Sequence, residues 1–125
     1  MRIHVVLFAL AACATTSEGP RTYQAEGQVR DAIDATNEAA RHHQTDAVLA
    51  MLDPGFVLID HGATYPRDTK VVGMMPVDRR IIKMDHVTAS QAIVISKSGT
   101  QRYAEVWVRR DGQWKLSRFE DVSGS

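Results

Sequence analysis

The chain of 125 residues is predicted to fold as one α+β domain, with helices segregated to one face of an antiparallel sheet. Three observations lead to that class. Residues 22–52 carry apolar side chains at spacings of three and four, the period of helices packed on a core. Residues 80–122 alternate instead, and are cut by glycine-bearing turns at Ser98-Gly99 and Asp111-Gly112. The composition, 44% hydrophobic and 24% charged, is that of an ordinary globular chain and excludes collagen-like, disordered and polytopic membrane classes.

The elements follow in order. Val29, Ile33, Thr36, Ala40 and His43 predict a helix over 22–43, with Thr22 as its N-cap. A short helix over 46–52 is stopped by Asp53-Pro54-Gly55. Phe56-Val57-Leu58-Ile59 predicts an apolar strand that ends at Asp60-His61-Gly62. Pro66 is suited to open a further short helix over 66–75, closed by Pro76. Four strands are then expected over 80–88, 91–97, 101–110 and 113–122.

The amino terminus has the pattern of an export signal. Met1 and Arg2 precede an apolar run over 3–12, interrupted only by His4. At about ten residues it is too short for the roughly twenty of a membrane span, and fits the roughly seven to fifteen of a signal's apolar region. Leu10-Ala11-Ala12-Cys13 resembles the bacterial lipobox, in which small residues fit the peptidase and the cysteine thiol takes the lipid. Residues 1–12 are therefore expected to be a signal peptide, cut between Ala12 and Cys13, with Cys13 acylated by chains such as palmitate. An ordinary secretory signal with an unrelated cysteine is the alternative. Residues 13–21, small, polar and broken by Gly19-Pro20, are expected to be a tether, leaving residues 22–125 as the domain. Ala14, where an aspartate would resemble an inner-membrane retention signal, points to the outer membrane, facing the periplasm, in a diderm bacterium. One cysteine excludes an internal disulfide and a cysteine zinc knuckle. Fifteen basic residues against fifteen acidic ones exclude a global pull toward nucleic acid.

Long helix, short helix, strand, short helix and long strands is also the order of a known family. With the run Glu105-Val106-Trp107-Val108-Arg109-Arg110-Asp111-Gly112-Gln113-Trp114-Lys115-Leu116, and Leu52-Asp53-Pro54-Gly55-Phe56 where the second helix passes into the first strand, residues 24–124 resemble the nuclear transport factor 2-like, or SnoaL-like, domain of the domain of unknown function 4440 type. The resemblance implies a cone: a curved antiparallel sheet with helices packed on its concave face, a pocket between them, and a homodimer through the outer sheet face. It leaves activity open, because the superfamily includes isomerases, dehydratases, cyclases, oligomerisation modules and non-catalytic members.

Alternation combined with that resemblance selects candidate pocket residues. The family's pocket-facing set matches Tyr103, Glu105 and Trp107. On the strand before them, Ile82, Met84, His86 and Thr88 form the more apolar face, which places His86 inward. Trp114, Leu116, Arg118 and Glu120 share a face of the last strand. Asp60 and His61 end the first strand, one pointing each way. A carboxylate and an imidazole in such a pocket suit proton abstraction beside a carbonyl, with Tyr103 as oxyanion donor. The alternative is structural: Glu105 pairs with Arg102, Arg118 or another arginine, and His86 is a satisfied sheet residue. No metal site is expected, since His42 and His43 are adjacent on a helix and His61 and His86 lack a sequence-local partner. The pairs Arg79-Arg80 and Arg109-Arg110 are expected at solvated strand ends, and Trp107 with Trp114 in the core or at a dimer face.

The expected protein is an envelope lipoprotein, anchored to the membrane through Cys13, whose domain binds a small apolar or polar ligand or assembles without catalysis and needs no cofactor. The alternative is a small periplasmic isomerase or dehydratase using a carboxylate/histidine pair; a third reading is an oligomerisation module alone.

Overall fold

A computed structural model describes residues 21–124. The signal peptide, Cys13 and all of the tether except Arg21 lie outside the described residues. The chain runs α1 (Thr22–Arg41), α2 (Thr45–Ala50), β1 (Leu52–Asp60), β2 (Ala63–Pro66), α3 (Thr69–Met74), β3 (Arg80–Asp85), β4 (Gln91–Ser98), β5 (Gln101–Arg110) and β6 (Gln113–Asp121). The strands form one curved six-stranded sheet in the order β2-β1-β6-β5-β4-β3. The α+β class holds, but the sheet is mixed: β1 lies parallel to β6 and every other pair is antiparallel. The helical segment between Pro66 and Arg80 and the strands after it return the chain far enough to permit that parallel pairing.

The N-cap of α1 lies one residue before the expected one, so Thr22 is already helical. Arg21 is the N-cap, and its backbone N–H donates to Gln24 Oε1 at 3.0 Å. Ala25, Val29, Ile33 and Thr36 form the buried face. The helix ends when His43 enters the left-handed region at φ +57°, with Gln44 N–H donating to the Ala39 carbonyl (2.9 Å) and His43 N–H to that of Ala40 (3.1 Å). His43 is thus an exposed end residue and not part of the buried stripe.

Helix α2 is shorter than expected, because Leu52 already pairs with Leu116 of β6 and belongs to β1. Asp53-Pro54-Gly55 lies inside β1, where the ladder slips between Leu52 and Val57. Strand β2 is an addition to the elements expected. Its four residues are too few to show alternation, and Pro66 closes this edge strand instead of opening a helix. His61 and Gly62, both at positive φ (+51° and +83°), make the tight turn between β1 and β2. Helix α3 is capped by Asp68, whose Oδ1 accepts from the N–H groups of Lys70 (2.9 Å) and Val71 (3.2 Å). Asp111 and Gly112, at φ +52° and +78°, turn β5 into β6 as expected.

The core lies on the concave face. Val29 and Ile33 of α1 and Val71 of α3 join Leu58, Val94, Trp107, Leu116 and Phe119 of the sheet. Two bulges decide which strand residues take part. In β3 the register slips between Ile81 and Lys83, so Ile81 and Met84 pack on the core while Ile82 is 43% exposed, the reverse of its expected side. In β6 Leu116 faces Trp107 and Arg118 faces Val106, so Ser117 is the extra residue. Beyond it Phe119 and Asp121, not Arg118 and Glu120, lie opposite Glu105 and Tyr103.

Candidate functional site

The residues proposed from sequence separate into three places. Glu105 and Trp107 are fully buried in the middle of β5. Each Glu105 oxygen accepts two hydrogen bonds: Oε2 from Arg79 Nε (2.7 Å) and Ser96 Oγ (2.5 Å), Oε1 from Arg79 Nη2 (3.2 Å) and Trp107 Nε1 (2.9 Å). Arg79 is held in turn by Asn37 of α1: its Nη1 donates to Asn37 Oδ1 at 3.0 Å, and its carbonyl accepts from Asn37 Nδ2 at 2.9 Å. Its guanidinium lies 5.3 Å from the Phe119 ring centre. The buried ion pair is thus fully hydrogen-bonded, as a buried charge must be. It ties α1, the start of β3, β4 and β5 together and leaves Glu105 no free lone pair for a substrate.

His86 is the second place, and a correction. It sits past the end of β3, exposed and at φ +52°. The bulge at Ile82 and the early end of the strand at Asp85 break the alternation that placed it inward. Arg79 is a correction of the opposite kind. It was expected at a solvated strand end and is 2% exposed, while Arg80 beside it faces water.

Asp60, His61 and Tyr103 form the third place, a cleft of about 320 Å³ at the end of the sheet where the β1–β2 turn meets the start of β5 and the end of β6. Leu58, Met74, Tyr103 and Phe119 supply apolar walls, and Asp60, His61, Gln101 and Asp121 supply polar groups. Neither Glu105 nor Trp107 lines it. The Tyr103 and Phe119 rings stack at 4.7 Å, and the Tyr103 hydroxyl donates to Gln101 Oε1 at 3.3 Å. Asp60 Oδ1 and His61 Nδ1 lie 2.6 Å apart. Asp60, His61 and Asp121 each place a ligand-type atom within 4.8 Å of the others.

Electrostatics give the cleft a sign. Burial first, and then the charges of Asp121 and Asp78, raise the Tyr103 phenol above its ordinary value. Hydrogen bonds from Ser123 hold the Asp121 carboxyl below the usual carboxylate range. Sequence reasoning missed Asp121, Gln101 and Arg79. For Arg79 a signal existed: a glutamate on the inward side of an apolar strand requires a buried cation, and Arg79-Arg80 opens the neighbouring hairpin. For Asp121 none did, because the Ser117 bulge leaves no mark on the residue types.

No known family's sequence profile matches the chain, and no curated protein is similar to it in sequence. Solved structures do match. A nuclear transport factor 2-like protein of unknown function from Shewanella oneidensis MR-1 superposes with a TM-score of 0.63 at 11% identity, over 77% of this chain and 97% of its own. A candidate scytalone dehydratase from Novosphingobium aromaticivorans superposes at 0.64 with 15% identity, over 77% and 81%. A de novo designed protein with a curved β-sheet matches at 0.63 with 13% identity, over 77% and 97%. These likenesses establish the nuclear transport factor 2-like fold; at such identities they establish nothing of the chemistry.

Proposed function

We propose that this chain is a small-ligand-binding domain of the bacterial envelope, with its ligand seated in the cleft between the β1–β2 turn, Tyr103 and Asp121. One observation carries the reading: apolar walls and four polar side chains converge on an open cleft, while the interior carboxylate Glu105 is wholly occupied by structural partners. The envelope location is supported by the lipobox-like Leu10-Ala11-Ala12-Cys13 after a short apolar run. Met74, 37% exposed on the wall, allows a test with little risk to the core. Met74→Trp should fill the cleft. Aromatic fragments that raise the melting temperature of the wild type should lose that effect in the variant, and an unchanged effect contradicts the reading.

A second reading, a small isomerase or dehydratase, is favoured by the Asp60–His61 contact of 2.6 Å beside the Tyr103 phenol. It differs from the first in what His61→Asn does: turnover lost with binding kept supports catalysis, and no turnover in the wild type contradicts it.

Assembly with a second copy through the outer sheet face belongs to the same proposal. Ile93 lies opposite Val106 and Ile95 opposite Ala104 on that face, all partly accessible, and Lys83–Asp85 and Arg118–Glu120 pairs border them. A twofold axis would set this patch against its own copy, apolar centre on apolar centre. A monomer in sedimentation equilibrium contradicts it.

A further inference from the structure

Resting on the cleft reading, the geometry points to an organic ammonium with an apolar or aromatic body as the ligand. Asp60 and Asp121 are the carboxylates that line the cleft, His61 in contact with Asp60 is the one basic side chain among its lining residues, and none of them is a lysine or arginine. Asp121 is held below the usual carboxylate range by Ser123, so it carries its charge at neutral pH. The same carboxylates bear on the floor of the cleft. The charges of Asp121, Asp78 and Asp60 act together on Tyr103 and outweigh the opposing charge of Arg79. Arg79 is spent on Glu105 in the interior. An anion entering here would meet two carboxylates and, against them, only the His61 imidazole that already contacts Asp60, while an ammonium could donate to Asp60 and Asp121.

The walls fix the rest of the ligand. Leu58, Phe119, Met74 and the ring of Tyr103 exclude water from one side, and the Tyr103 oxygen retains lone pairs after donating to Gln101. At about 320 Å³ the cleft stands at the small end of the roughly 300–1,000 Å³ of ligand pockets. That suits a one-ring amine and not a nucleotide. A divalent metal on Asp60, His61 and Asp121 is the competing occupant. It would compete with the 2.6 Å Asp60–His61 contact for ligand atoms, and it would make no use of the apolar walls.

The test is calorimetric titration of the full chain in detergent at neutral pH with four probes: 2-phenylethylamine, 2-phenylethanol, 3-phenylpropionate and zinc chloride. The amine is expected to bind at least about tenfold more tightly than the alcohol or the acid. Asp121→Asn should weaken it at least about tenfold without moving the melting temperature; if that variant does not fold, Asp60→Asn takes its place. Equal binding of the alcohol or the acid overturns the ammonium and leaves the cleft reading standing. Zinc binding that His61→Asn abolishes, with no binding of the amine, overturns it in favour of a metal. No binding of any probe overturns the cleft reading itself.

Discussion

Glu105 accepts four hydrogen bonds with no part of its side chain reaching water, and its partners come from three separate elements. Removing its charge leaves Arg79 buried and unpaired. Glu105→Gln should therefore cost about 3–5 kcal/mol in urea unfolding, and a loss below about 1 kcal/mol contradicts the structural role. Alternation on β5 together with the family resemblance turned Tyr103, Glu105 and Trp107 inward, and the need of a buried carboxylate for a cation was also legible. Which arginine supplies it was not, since Arg79 reaches Glu105 from the residue before β3, a strand two places away in the sheet. Asp53 shows the same dependence nearer the surface. Burial works against its charged form, but Arg110 and the Gly55 N–H outweigh it and hold the folded carboxyl below its ordinary value of 3.8. Because the folded value is the lower one, the unfolded chain takes up the proton first. The stabilisation is present above the ordinary value and is lost as pH falls through the folded one. Asp53→Asn should accordingly melt below the wild type at pH 7, and the gap should close in acid. A gap that stays constant with pH contradicts this.

At the scale of the element, bulges govern what the sequence could and could not show. Strands β4 and β5 keep strict alternation in their burial, which takes in Ala92, Val94 and Ser96, then Tyr103, Glu105 and Trp107. Strands β3 and β6 each carry one extra residue, and period two fails at that point. The slip at Ile82 put His86 on the wrong side in the sequence reading, and the slip at Ser117 hid Asp121. Strand β2 escaped notice because Ala63-Thr64-Tyr65-Pro66 has neither the length nor the pattern of a strand; its partner β1 and the His61-Gly62 turn create it. The bulge in β6 can be removed. Deleting Ser117 should turn Phe119 and Asp121 to the outer face, exposing a ring now 2% exposed. The expected loss is at least about 3 kcal/mol, the scale of emptying a buried aromatic site. Wild-type stability in the deletion would show that the strand does not need the extra residue to bury Phe119.

At the scale of the molecule, element order and turn chemistry made the fold legible, and the superposition on other curved-sheet structures agrees with it. The site was legible only in part. Asp60, His61 and Tyr103 meet in one cleft, whereas Glu105 and Trp107 belong to the interior and His86 to the surface. No sequence pattern distinguishes a residue that points into a core from one that points into the opening at its end. The proposed anchor concerns the other extremity of the chain. Cys13→Ala should move the protein from the membrane fraction to the soluble envelope fraction, because the acyl chains hold it and not a helix; retention on the membrane contradicts lipidation. The central claim is that the ligand site lies at the end of the sheet and that Glu105 is part of the scaffold. Amide chemical-shift mapping of the isotope-labelled chain with one-ring aromatic fragments tests it most directly. The account predicts shifts centred on Leu58 to His61, Gln101, Tyr103 and Asp121, with Glu105 and Ser96 unmoved; shifts centred on Glu105 and Arg79 would contradict it.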